Sequence, residues 1–224
     1  MSQPLPDRLS NLPVRTEVAV ALVVTFGLLF GTGALGRMEW LAYVAFLYVP
    51  VAVAWARRVD FATFGLLSPD AGRTTRTTLV VAAIVFPLFA GGYYLLAPVL
   101  GFPLELGFHD SRADVLRFIV VQVVLVAFAE EYFYRGYLQT RFDALWAPRW
   151  SVLGARLGPG WLVANALFAV GHLALGFHPE RLATFIPGLW FGWMRARTGD
   201  IYGAVVLHGL SNILIAYLQG QIIS

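Results

Sequence analysis

The stretch AFAEEYFYRGYLQ, residues 127–139, closes a long apolar run and places Glu130, Glu131 and Arg135 where lipid-compatible side chains would be expected. A charge near the centre of a membrane helix costs about 2.5–3.5 kcal/mol on insertion scales, so such groups mark pairing or function. Glu131 and Arg135 stand four residues apart, in the favourable order for an ion pair on one helix face. Glu130 is turned about 100° from Glu131 and faces elsewhere. One carboxylate is therefore neutralised locally while its neighbour stays free, and the rest of the chain has to say what for.

The surroundings are those of a membrane protein. Of 224 residues 58% are hydrophobic and 13% charged, with a mean hydropathy of +0.70. Soluble domains carry about 25% charged residues. Seven Trp, nine Tyr and seventeen Phe suit helix ends anchored at both interfaces. With no cysteine, disulfides, thiolate nucleophiles and cysteine-ligated metals are excluded. All sixteen basic residues are arginine, a hint of a prokaryotic source. They are scattered over short loops and form no basic face for nucleic acid.

Seven apolar spans, each near the ~20 residues that cross a bilayer, run over 17–36, 39–56, 78–98, 115–135, 161–177, 183–196 and 201–219. The fold class expected is all-α, a polytopic membrane bundle of about seven transmembrane helices. The sixth span is short and holds Pro187, which predicts a kink, a tilt or partial insertion. With a cytosolic N-terminus, the cytosolic side holds Arg8, Arg15, Arg57, Arg58, Arg73, Arg76, Arg135, Arg141, Arg149, Arg156, Arg195 and Arg197. The opposite side holds Arg37, Arg112, Arg117 and Arg181. Twelve against four obeys the positive-inside rule and places the chain in a cell (inner) membrane, N-terminus inward. Gly27/Gly31 and Gly188/Gly192 have the spacing that lets helices approach closely. Residues 142–160 read as an interfacial stretch.

Few polar side chains remain inside the spans: Gln122, Glu130, Glu131 and Arg135 in the fourth, Asn165 and His172 in the fifth, His208 and Asn212 in the seventh. Their depths agree. At 1.5 Å per residue Glu130 lies about 7–8 Å before Arg135, His172 about 16 Å in from Trp161 and His208 about 10 Å in from Ile201. Phe168 with His172, and His208 with Asn212, share a face four apart, and Asn165 lies seven before His172. Gln122 and Asn165 suit interhelical hydrogen bonds, and His109 and His178 the surface.

A carboxylate held away from water is a general base towards one trapped water molecule. Histidines and an amide beside it can hold that water or stabilise the oxyanion formed at an attacked carbonyl. Glu130, His172, His208 and Asn212 thus make an amide-hydrolysing set. No G-x-S-x-G or H-E-x-x-H string competes with them. Glu130, His172 and His208 also match a two-histidine, one-carboxylate zinc set. Two other readings stay open, a proton-coupled transporter using the same cluster and a non-catalytic binding or scaffold protein.

The ordered strings E-E-x-x-x-R (Glu130, Glu131, Arg135), F-x-x-x-H (Phe168, His172) and H-x-x-x-N (His208, Asn212) resemble those of the CAAX protease and bacteriocin-processing family of intramembrane proteases. The resemblance covers roughly 115–219. It implies that 115–224 is the catalytic core and 1–114 a set of generic membrane helices. It further implies that Glu130 activates the water, that His172, His208 and Asn212 position it and stabilise the oxyanion, and that Phe168 shapes the pocket. Glu131, Arg135 and Asn165 support them. The implied mechanism is glutamic and uses no cofactor, with zinc disfavoured. The implied partner is a membrane-anchored protein or peptide, cut near its C-terminal tail.

Overall fold

A computed structural model describes residues 13–35, 40–175 and 177–222. Arg8 and Arg37, both counted for orientation, lie outside the described residues. Two apolar helices, α1 (Val14–Leu35) and α2 (Trp40–Arg57), pack as a hairpin. α3 (Ala71–Leu100) begins where Asp70 accepts the backbone N–H of Arg73 at 2.9 Å and ends at Gly101, whose φ of 72° only glycine adopts without strain. Its 30 residues span about 45 Å, more than the ~30 Å hydrocarbon layer. Few of its side chains are buried, and Leu88, Leu95 and Val99 stand more than two-thirds exposed, as lipid-facing residues do.

The fourth expected span is longer than 115–135 and is not a plain α-helix. α4 (Arg112–Val120), a π-helical segment (Val121–Ala127), α5 (Phe128–Glu131), a second π-helical segment (Tyr132–Gln139) and α6 (Thr140–Leu145) follow one another without a break. The glutamate pair therefore sits on one α-turn between two wider ones, a device common at functional sites. Every residue of Tyr132–Gln139 is buried, so this segment runs through the middle of the bundle.

α7 (Pro159–Gly171) starts on a proline, whose missing N–H is harmless at that position, and tightens into a 3₁₀ turn at His172–Leu175. α8 (Phe185–Thr198) and α9 (Tyr202–Gln219) complete the bundle. Pro187 is the third residue of α8, where no intrahelical N–H bond is lost, so it starts the helix and does not kink it. Among the described residues four helices are long and apolar enough to cross a membrane, Val14–Ala34, Trp40–Arg57, Ala71–Leu100 and Tyr202–Gln219. Pro159–Ala174 is a shorter apolar helix.

Between α6 and α7 the interfacial stretch holds an antiparallel hairpin, β1 (Trp150–Val152) with β2 (Ala155–Leu157). Its two-residue turn has positive φ at both Leu153 (47°) and Gly154 (76°), as this tight turn requires. Gly188 and Gly192 do bring helices together. A Cβ on Gly188 would overlap Asn165 Oδ1, and one on Gly192 would lie 2.5 Å from the Trp161 ring. Gly27 and Gly31 do not: nothing lies within 4 Å of either Cβ position.

Glu17, at the edge of the first expected span, is buried with two arginines that the sequence placed in loops. Its carboxylate accepts hydrogen bonds from Arg57 Nε at 2.7 Å and the Tyr137 hydroxyl at 3.1 Å and is ion-paired with Arg141 at 2.9 Å, tying α1 and α2 to the central helix. Asp200 accepts hydrogen bonds from Ser68 (2.6 Å), Thr74 and the backbone N–H of Tyr202 (3.1 Å) at the start of α9. Asp143 in α6 is less well served. Its Oδ1 has no hydrogen-bond partner among the described residues, and burial pushes the carboxyl up to about 6 against the pull of Arg195. A folded-state value above the unfolded one favours the fold most below the unfolded value, and that contribution is lost as pH rises through about 6. Asp143→Asn is expected to raise the melting temperature in nanodiscs, with a gain that grows from acidic to neutral pH. A gain that is flat or shrinks with pH would contradict this.

Candidate active site

Arg135 is the junction from which the site is built. It is 1% exposed, and Nη1 donates to Glu131 Oε1 at 2.8 Å. Nη2 donates to Asn165 Oδ1 of α7 at 3.3 Å and to the Gly188 carbonyl of α8 at 3.1 Å. The guanidinium also lies 4.0 Å from the centroid of the Phe168 ring. A buried ion pair holds only when its remaining donors are satisfied, and here two further helices satisfy them. The ion pair expected from the i, i+4 spacing is present. Asn165 makes interhelical bonds, as its sequence position suggests, and its amide also donates to the Phe185 carbonyl at 2.8 Å.

Glu131 reaches α9 as well. The oxygen that takes Arg135 also takes His208 Nδ1 at 2.8 Å. A carboxylate oxygen so placed only accepts, so Nδ1 carries the proton and Nε2 bears the lone pair. His208 Nε2 is 3.9 Å from Glu130 Oε2, close but longer than a hydrogen bond. His172 follows the same logic. Its Nδ1 lies 2.9 Å from the Phe168 carbonyl, an acceptor, which leaves Nε2 free. Phe168 packs edge-on against both imidazoles, with centroids 4.6 Å from His172 and 5.6 Å from His208, while Phe191 stacks on His208 at 5.0 Å.

Glu130 is the group left over. It is buried, and Oε2 has no hydrogen-bond partner among the described residues. It faces a cavity of about 20 Å³, above the ~10–15 Å³ that one water needs. Its walls include His172, Gly171 and Tyr134 from the core. Leu29, Thr32 and Gly33 of α1 and Ala42, Tyr43 and Phe46 of α2 form the rest. The N-terminal helices are therefore part of the site, although their sequence carries no motif.

The structure brings Glu130, Glu131, Arg135, Phe168, His172, Asn165 and His208 into one cluster. Asn212 stands one turn beyond His208, donates to Gln122 Oε1 at 2.8 Å and does not line the cavity. Sequence reasoning missed Tyr134 and Phe191, which look like ordinary packing residues in an apolar run. Among the described residues no three His, Cys, Asp or Glu side chains converge as metal ligands do. Glu130, His172 and His208, the set considered for zinc, thus lack that geometry, and no step is derived through a metal.

Residues 112–214 match the family described as "Type II CAAX prenyl endopeptidase Rce1-like". No curated protein matches the chain, and no solved structure does. The matched segment opens at α4 and closes in α9, so it contains the whole glutamate, arginine and histidine cluster and excludes α1 to α3.

Breaking one partner out of a buried pair costs about 3–5 kcal/mol, because the other charge stays uncompensated. Arg135→Gln is expected to lower the unfolding free energy by about that amount in a reversible detergent titration. A loss under about 1 kcal/mol, the size found for exposed pairs, would show that the junction does not hold the bundle.

Proposed function

We propose, from the match of residues 112–214 to the Rce1-like family of type II CAAX prenyl endopeptidases, that the chain hydrolyses a peptide bond near the C-terminal tail of a membrane-anchored protein or peptide. The family match supports a protease, and the apolar helices support a membrane setting for it. The observation that carries the mechanism is Glu130, a buried carboxylate with an unpartnered oxygen on a cavity one water in size, opposite His172.

In this reading Glu130 takes a proton from the water as its oxygen attacks the scissile carbonyl carbon, and returns that proton to the departing amine. His172 Nε2 accepts a hydrogen bond from the same water and fixes its direction. His208, oriented by Glu131, sets the Glu130 side of the cluster. The pairing of a ring N–H with a carboxylate is a common way to fix an imidazole. Asn212 enters with the N–H that Gln122 leaves, on the far side of His208. Glu131 and Arg135 hold the frame and do no proton transfer. Arginine counts support a cytosolic N-terminus, and so a site in the cytosolic half of an inner membrane, reached from the cytosol or sideways from lipid.

Glu130→Gln keeps the size and most of the hydrogen bonding and removes the base. Membrane proteins in native cells carrying this variant are expected to retain terminal segments that wild-type cells lack, and those segments name the substrates. Identical termini in both strains, with the phenotype of the gene intact, would make Glu130 structural and the chain a binding protein.

A further inference from the structure

A peptide carbonyl under attack needs a hydrogen-bond donor at its oxygen as well as a base for the water. The donors expected from the sequence are committed or stand outside the cavity wall. His172 and His208 have their Nδ1 protons on the Phe168 carbonyl and on Glu131, and Asn212 gives an N–H to Gln122 outside the cavity wall. Thr32, which does line the cavity, donates to the Leu28 carbonyl at 2.8 Å.

Tyr134 is different. It lines the same cavity as Glu130 and His172, it is 2% exposed, and its hydroxyl has no hydrogen-bond partner among the described residues. Its ring is fixed by Phe46 (5.4 Å), Phe133 (5.1 Å) and Phe168 (5.3 Å), so the hydroxyl cannot swing away without repacking the core. It rests against Gly171, the residue before His172: a Cβ built there would lie 2.5 Å from the Tyr134 oxygen but 3.6 Å from its ring carbon Cζ. Tyr134 follows Glu130 by four residues, and both side chains reach the same cavity.

We propose that Tyr134 is a catalytic residue, whose phenolic O–H donates a hydrogen bond to the oxyanion of the tetrahedral intermediate. The proposal rests on the reading of Glu130 as the base. The water oxygen bonds to the carbonyl carbon, a water proton passes to Glu130, and the carbonyl π electrons move onto the oxygen that Tyr134 faces. On collapse the C–N bond breaks and the proton on Glu130 goes to the amine. The phenol keeps its own proton throughout. Before substrate arrives, the same hydroxyl and Glu130 share the cavity water.

Three measurements test this together. First, Gly171→Ala is expected to lower the melting temperature of the wild-type chain but not of Tyr134→Phe, because the hydroxyl is the one neighbour the added methyl would clash with, Leu29 and the ring carbon lying at ordinary contact distance. An equal loss in both backgrounds places the hydroxyl elsewhere and overturns the proposal. Second, a structure of the wild-type chain at a resolution that shows waters is expected to place one water between the Glu130 carboxylate and the Tyr134 hydroxyl. A water that Tyr134 does not touch overturns it. Third, with a quenched fluorescent peptide ending in a farnesylated CAAX sequence, Tyr134→Phe is expected to lower kcat by about 10²–10³ with KM unchanged, the loss seen when one oxyanion donor is removed. An active Tyr134→Phe beside a dead Glu130→Gln removes the tyrosine and leaves the base, whereas two active variants overturn both. Should the wild-type chain leave this peptide uncut, the position of the water decides.

Discussion

The guanidinium of Arg135 is the one contact that the site cannot lose. It touches the carboxylate one turn before it, an amide on α7, a carbonyl on α8 and the face of Phe168. Through Glu131 it also reaches His208 on α9. Four elements with no covalent reason to be near one another are held by one planar cation whose donors point in several fixed directions. Lysine, a point charge with three donors, could not serve them all. Gly188 belongs to this arrangement, because any side chain there would collide with Asn165 and with Arg135.

That junction also separates the two glutamates. They are adjacent in sequence and identical in chemistry, and each has an Oε2 with no partner among the described residues, yet only Glu131 has its other oxygen on a cation and an imidazole, and only Glu130 lines the cavity. In a low-dielectric interior an unpartnered carboxylate oxygen is costly, and its retention beside a water-sized cavity is what makes it chemically interesting. Phe168 extends the separation. It takes the cation on one face, holds two imidazoles at its edges and keeps bulk water from the frame.

Much of this was legible in the sequence because charges inside apolar spans are so few. The Glu131–Arg135 pair, the free Glu130 and the convergence of His172 and His208 all follow from spacing and depth. Other features left no trace. The two π-helical segments change which residues share a face, and no local composition announces them. Glu17, Arg57 and Arg141 read as the boundary and loop charges of three different elements, and only tertiary packing makes them a buried cluster. The hairpin turn uses Leu153 and Gly154, not an Asn-Gly pair, so its usual signal is missing. Asn212 shares a face with His208 but meets Gln122, a partner that periodicity on its own helix cannot reveal.

The cavity wall has two owners. Glu130, Tyr134, Gly171 and His172 belong to the segment that matches the protease family, while Leu29, Thr32, Gly33, Ala42, Tyr43 and Phe46 lie outside it. Gly33 presses so closely on the Ala174 carbonyl that a side chain there would have to move the turn that carries His172. The residues proposed for the chemistry thus lie in the matched segment, while the first two helices supply six of the ten residues of the wall. Drift in the first two helices can redraw the chamber for a new clientele while the acid, the arginine and the imidazoles stay as they are. On the proposed reading, a chain built this way could change what it cuts without changing how it cuts.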